Sequence, residues 1–204
     1  MDMLSTIKGS YFEEVFPKGW DIERIKKCVS NNPASYGEKQ PFWNPDFAPV
    51  PCENLEEFGV YMGHEIAMQI KLTKEAGQEL ILILPVGPMG MYKWVVYFLK
   101  QWNIDCKHVH GFNMDEWSDE KGNTLPASDP AAFQNAMENA LYGPLGELSV
   151  PESQRNFATK ENLPLYAEKI ALLKSKGAKQ VLVYGIGRMC HIAFWEPHFA
   201  DDFA

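Results

Sequence analysis

The chain has 204 residues, 46% of them hydrophobic, enough to bury one substantial core and too few for two full-sized domains. Its formal net charge of -8 creates a field that repels phosphate backbones and anionic membranes, which argues against nucleic acid and membrane surfaces as partners. A small phosphorylated ligand stays open, because a few aimed amides or one lysine can hold a phosphate inside an acidic protein.

Met1 to Ser5 lacks the basic stretch followed by an apolar run that marks a secretory signal. The longest strongly apolar run, Leu80 to Pro85, is far too short to span a bilayer. Cys28, Cys52, Cys106 and Cys190 are widely scattered, with no C-x-x-C pair, and such spacing fits reduced thiols in a cytoplasm.

Taken in order, Asp21 caps a short helix carried by Ile22, Ile25 and Val29, which ends before Asn31-Asn32-Pro33. Prolines at 33, 41, 45, 49 and 51 then remove backbone donors, while Tyr36, Phe42, Trp43 and Phe47 supply anchors. This predicts an extended arm that wraps its own domain. Residues 1–53 are thus read as a helix and arm, and 54–204 as the globular domain.

Leu55 to Ala76 carries Phe58, Met62, Ile66 and Ile70 at helical spacing and closes at Gly77. Leu80 to Leu84 is a continuous apolar run, as in a strand buried on both faces. A helix over Pro88 to Gln101 and a strand over Lys107 to Phe112 follow. Asp129-Pro130 has the N-cap and first-turn signals of another helix, Asn162 to Lys176 reads as helix, and Gln180 to Tyr184 as a third buried strand. This alternation predicts an α/β fold with a mostly parallel sheet and helices on both faces, a Rossmann-like three-layer arrangement.

Ligands of such sheets bind at the carboxyl ends of the strands. The first strand ends in Pro85-Val86-Gly87-Pro88, a turn whose amides and following helix can face an anion, although a glycine there also serves plain steric needs. After the second come Asp115 and Glu116 between Met114 and Trp117. Neighbouring residues of an extended segment point to opposite sides, so one of the two acids is expected in the crevice, where apolar surroundings suit a general base. The third ends in Gly185-Ile186-Gly187, with His191 and Glu196 beyond; an imidazole beside a carboxylate can shuttle protons, though a lone histidine is more often structural. Cys190 and Pro197 stand where a dinucleotide fingerprint needs a third glycine and a running helix, which argues against nicotinamide binding. Cys106, His108 and His110 on one strand face are too widely spaced to close easily on a zinc ion.

In order and spacing these segments resemble the glucosamine-6-phosphate deaminase/isomerase family from about Leu55 to Pro197. Phe112-Asn113-Met114-Asp115-Glu116 is similar to its F-N-M-D-E-Y motif, with Trp117 for the tyrosine, and Gly185 to Pro197 resembles G-V-G-x-D-G-H-I-A-F-N-E-P. The resemblance implies aldose/ketose isomerisation of an amino-sugar phosphate with release of ammonia. In it Asp115 moves the proton between C1 and C2, and His191, backed by Glu196, assists ring opening. Pro85, Val86, Gly87, Glu116 and Gly187 line the substrate site, and no metal or organic cofactor is needed. A related sugar-phosphate lactonase, or a non-catalytic sugar-phosphate sensor, is the alternative.

The departures are specific. The family's G-G-T turn is about two residues shorter here, Met189 and Cys190 replace the aspartate and glycine ahead of the histidine, and Trp195 replaces an asparagine. The family also continues beyond the E-P motif. The sequence therefore predicts a chain incomplete at its C-terminus, or a sheet edge mended by the arm or by pairing in a homo-oligomer.

Overall fold

The computed structural model describes residues 44–185 together with Glu38, Pro41 and Phe42. The helix expected after Asp21 lies outside the described residues. Positions 44–53 of the proline-rich segment contain neither helix nor strand. Asn54 to Gly185 form one compact unit.

Helix α1 (Leu55–Glu75) begins where the Asn54 side chain accepts the backbone N–H groups of Glu56 and Glu57, satisfying two donors that a helix start leaves open. It ends at Gly77, whose φ of +62° favours glycine. Its buried stripe is Gly59, Gly63, Ile66, Ala67, Ile70 and Thr73. The predicted Ile66 and Ile70 are in it, whereas Phe58 and Met62 are only half-buried. The reason is close approach to helix α2 (Gly90–Trp102): a Cβ on Gly63 would stand 2.5 Å from Trp94 Cβ and 2.7 Å from the Met91 carbonyl oxygen.

Strand β1 (Leu80–Leu84) is the continuous apolar run, with Leu80, Ile81, Leu82 and Leu84 all buried. Each such side chain contributes about 1.5–3 kcal/mol of transfer free energy. Leu80, Leu82 and Leu84 join Met91, Tyr92, Val95 and Leu99 of α2 in the main core. Strand β2 (Val109–Asn113) runs parallel to β1 in register Leu80↔Val109 to Leu84↔Asn113. It starts later than the predicted Lys107, because Cys106 to Val109 form a turn closed by the Val109 N–H on the Cys106 carbonyl. Cys106 therefore precedes the strand and shares no strand face with His108 and His110.

Between β2 and the next strand the chain makes helix α3 (Phe133–Met137) and a wide π turn (Glu138–Tyr142). The Asp129-Pro130 signal expected to open α3 instead makes a turn, with the Ala131 N–H on the Asp129 carboxylate. The cap of α3 comes from Glu116, far back in sequence. Strand β3 (Arg155–Asn156), too short to be seen in the sequence, adds to β2. Helix α4 (Tyr166–Ser175) leads to strand β4 (Lys179–Leu182), which pairs in parallel with the other side of β1.

The sheet order is β3-β2-β1-β4, all parallel. The order reverses between β1 and β4, and a crevice opens at the carboxyl ends of strands where neighbours lead away in opposite directions. Gly111 faces Tyr142, so Phe112, the next residue along, points to the opposite side of the sheet, where its ring meets Tyr166 of α4 edge-on at 5.1 Å. The expectation that the last strand is buried is corrected. Among the described residues β4 pairs only with β1, and Leu182 and Tyr184 remain about half exposed.

Candidate active site

The turn after β1 is braced from below. The buried Tyr92 hydroxyl donates to the Pro85 carbonyl oxygen at 2.5 Å, and the Met89 N–H returns to the Gly87 carbonyl at 2.8 Å. Pro85 and Pro88 have no N–H, so the amides the turn can aim outward are those of Val86, Gly87 and Gly90. Pro85 itself is buried and its carbonyl is taken, leaving it a wall rather than a ligand group. These amides, two ahead of α2 and one at its first residue, can meet an anion, with less reach than a longer turn that carries a hydroxyl.

After β2 the ladder to β1 extends one step further, the Met114 N–H donating to the Leu84 carbonyl at 3.1 Å. The chain then bends at Met114, and Asp115 follows directly after that bend. Asp115 is partly buried, its Oδ1 wholly so. Its charge reaches the hydroxyls of Tyr92 and Tyr166.

Glu116 points elsewhere. Its two oxygens accept the Phe133 and Gln134 N–H groups, both at 2.7 Å, and one of them also accepts the Trp117 N–H at 2.9 Å. The carboxylate thereby caps α3 and ties the Asp115 loop to it, while Trp117 packs edge-on against Phe133 at 5.5 Å. Of the two adjacent acids, Glu116 is thus engaged in structure.

Tyr92 and Tyr166 lie within reach of the Asp115 charge, Tyr142 lies within reach of both tyrosines, and no local pattern in the sequence marks the three. Burial first, then neighbouring Tyr142 and the Asp115 charge, raise the Tyr92 hydroxyl well above its usual range. Burial is also the leading cause that raises Tyr142 and Tyr166. All three stay protonated donors near neutral pH. The Tyr166 hydroxyl lies 2.7 Å from the Asn156 carbonyl oxygen and 3.0 Å from that of Asn113, so its one proton is shared between the ends of β3 and β2. Lys169 Nζ holds the side-chain oxygens of Asn156 and Asn162 nearby.

Gly187, His191 and Glu196 lie outside the described residues. Among the described residues no group of three or more histidine, cysteine or acidic side chains could hold a metal ion. No helix among them is long and apolar enough to cross a membrane.

The fold and this acid-bearing mouth define an α/β protein with a parallel sheet and helices packed against it. No family model matches the chain. It is 30% identical over 152 residues to the glucosamine-6-phosphate deaminase of Clostridium botulinum (strain Alaska E43 / Type E3), an alignment covering 72% of this chain and 56% of that protein. It is 29% identical over 157 residues to the glucosamine-6-phosphate deaminase of Yersinia pestis (strain Pestoides F), covering 72% and 55%. In three dimensions it matches a monomeric glucosamine-6-phosphate deaminase with a TM-score of 0.58 and 22% identity, over 72% of this chain and 58% of that one, a likeness of fold. The chain belongs to the glucosamine-6-phosphate deaminase/isomerase family. It spans a little over half the length of the curated relatives it matches.

Proposed function

We propose that this protein binds a small phosphorylated amino sugar and catalyses its aldose/ketose isomerisation with hydrolytic release of ammonia, converting glucosamine 6-phosphate to fructose 6-phosphate. The observation that carries the reading is Asp115: a partly buried carboxylate at the carboxyl end of β2, one step past the last sheet hydrogen bond and beside the β1 turn. A proton shift between adjacent sugar carbons needs one group that removes and returns the proton on one face, and a shielded carboxylate does both.

In this reading Asp115 is the base, and the amides of Val86 and Gly87 face the phosphate. Glu116 holds the loop rather than the ligand. His191, backed by Glu196, exchanges the proton of the ring oxygen as the sugar opens, and Gly187 offers its backbone to the substrate; the motif match supports these three. The reaction runs in the cytoplasm without metal or organic cofactor, with nucleic acid not a partner.

Ammonia release from glucosamine 6-phosphate, with solvent deuterium incorporation at C2, tests the reading. Asp115→Asn is expected to abolish exchange while leaving the fold intact, and unchanged exchange would remove Asp115 from the role. Stabilisation by the sugar phosphate without turnover would make the protein a sensor instead. Because the turn is short, glucosamine 6-phosphate is expected to bind less than a thousandfold more tightly than glucosamine, under about 4 kcal/mol.

A further inference from the structure

Asp115 is a single residue between two fixed points. On its amino side the Met114 N–H is held by the Leu84 carbonyl oxygen at 3.1 Å, a bond that extends the sheet ladder. On its carboxyl side the chain has left the sheet, and there the Glu116 side chain takes hold. Glu116 Oε1 accepts the N–H groups of Phe133 at 2.7 Å and of Trp117 at 2.9 Å, and Oε2 accepts that of Gln134 at 2.7 Å. Amide donors bond a carboxylate more strongly than a neutral acceptor. The bonds to Phe133 and Gln134 close the neck of a loop that leaves at 116 and returns at 134.

Beyond the neck the loop is built rather than slack. Ser118 pairs with Thr124 across an antiparallel bridge, and the Leu125 N–H returns to the Trp117 carbonyl at 3.0 Å. Inside that turn Asp119 accepts the Lys121 and Asn123 N–H groups at 2.9 and 2.8 Å. The tip reaches the segment after β3, where the Lys160 N–H donates to Thr124 Oγ1 at 2.7 Å and Lys160 Nζ to Asn123 Oδ1 at 3.2 Å. On the return, Asn135 Nδ2 donates to the Ala127 carbonyl at 3.1 Å. A segment fastened along its length transmits position instead of absorbing motion, so the neck bonds act on the backbone beside Asp115.

We propose that Glu116 is a positioning residue for Asp115: by locking the loop neck to the start of α3 it fixes the main chain one residue beyond the base. With Met114 alone held, the two soft dihedrals of Asp115 stay free to swing its carboxyl; the second anchor restricts them. A displacement of about 1 Å at a reacting group can cost roughly a hundredfold in rate. The inference rests on Asp115 being the base of the proposed reaction. It gives Glu116 a part in the chemistry that a helix cap alone would not have.

Two measurements on the whole chain test the inference separately from the function it rests on. Glu116→Gln keeps the shape and one acceptor oxygen but turns an NH2 group toward an N–H donor, so the neck loosens in a chain that still folds. Phe133→Pro removes a donor from the other side of the neck. Proline suits the first helical position, and Ala132, with φ -64° and ψ 134°, already has the backbone that precedes a proline. Met137→Ala is the control: it empties a fully buried position of α3 and leaves the neck bonds in place.

In the first, nitrogen relaxation gives the order parameter of the Asp115 amide without ligand. It should be about 0.85 in the wild type and below about 0.6 in Glu116→Gln and Phe133→Pro. Met137→Ala should melt at least as low as Glu116→Gln yet keep the wild-type value at Asp115. An unmoved Asp115 in both neck variants overturns the proposal, and so does an Asp115 equally mobile in Met137→Ala, whether or not the protein turns over glucosamine 6-phosphate.

In the second, Glu116→Gln should lower kcat about tenfold or more, with KM within about threefold and deuterium exchange at C2 slowed in the same ratio. Met137→Ala, assayed below both melting temperatures, should keep kcat within about threefold of the wild type. A rise in KM with kcat unchanged overturns the proposal by making Glu116 a ligand contact. Equal losses of kcat in Glu116→Gln and Met137→Ala overturn it by making the effect one of α3 stability. Wild-type protein with the expected order parameters but no turnover would sink the function while the neck lock stands.

Discussion

The α1-β1-α2-β2 half and the α4-β4 edge are built from similar apolar and polar residues in the same sheet, yet they are buried to very different degrees. In the first, four of the five β1 side chains are nearly inaccessible, and two helices touch through glycines. In the second, α4 has no buried residue, and Leu172, Leu182 and Tyr184 are each about half exposed. Pattern alone makes both look like interior. Position in the sheet decides: β1 has hydrogen-bonded neighbours on both sides, whereas among the described residues β4 has one. Hydrophobic stabilisation follows the area removed from water, so it is concentrated in the first half.

Truncations on the two strands are the strongest way to break this comparison. Leu82→Ala should cost about 2–5 kcal/mol in chemical denaturation, and Leu182→Ala no more than about 0.5 kcal/mol, as at ordinary exposed sites. Equal losses would mean the edge is covered in solution. Next in size is Gly63→Ala. Its added methyl meets backbone and a Cβ rather than a flexible side-chain end, so a loss of about 1–3 kcal/mol is expected; a neutral result would show that the helices slide apart freely.

A smaller effect sharpens the role of long-range capping. Glu116→Ala should cost about 0.5–2 kcal/mol through loss of the α3 cap, and amide exchange at Phe133 and Gln134 should quicken more than in α1. Smaller still is a pH dependence from His108 at the amino-terminal end of the sheet. Its Nε2–H faces the Ile70 carbonyl at 3.0 Å, and burial, the largest cause, lowers its pKa from 6.5. A lowered folded-state pKa means that only the unfolded chain gains a proton as pH falls. The contribution is therefore complete above pH 6.5, shrinks as pH drops below that, and is gone beneath the folded-state pKa. Denaturation at pH 8 and at pH 5.5 should differ less in His108→Gln than in the wild type, and an identical slope would clear His108. Cys106 adds a chemical check: burial pushes its thiol up to about 12, so a thiol reagent should modify Cys52 long before Cys106 in native protein.

What the sequence made legible was what local pattern controls. A run of five apolar residues could only be an interior strand, and the α1 stripe and its glycine stop were visible in spacing. The start of α3 was not, because its cap arrives from Glu116 across the fold while the nearby Asp129 spends its carboxylate on its own turn. Gly59 and Gly63 look like weak helix formers until a second helix lies against them. Asp115 stands out in the sequence by its apolar neighbours and motif, as an expectation of the site. Tyr92, Tyr142 and Tyr166 become neighbours only when α2, the π turn and α4 meet.

Helix α4 offers a last lesson through the way it is fastened. It is attached by stitches at its first turns: the Tyr166 hydroxyl against the carbonyl oxygens of Asn113 and Asn156, the Tyr166 ring on Phe112, and Lys169 Nζ on Asn156 and Asn162. Such a helix can loosen from its far end with little effect on the interior, because among the described residues its carboxyl-terminal turns bury no side chain. It should behave as a separate cooperative unit that opens at a fraction of the global unfolding free energy. The end that stays fastened is the one that meets the carboxyl ends of β2 and β3, so motion of α4 is confined to the end away from them.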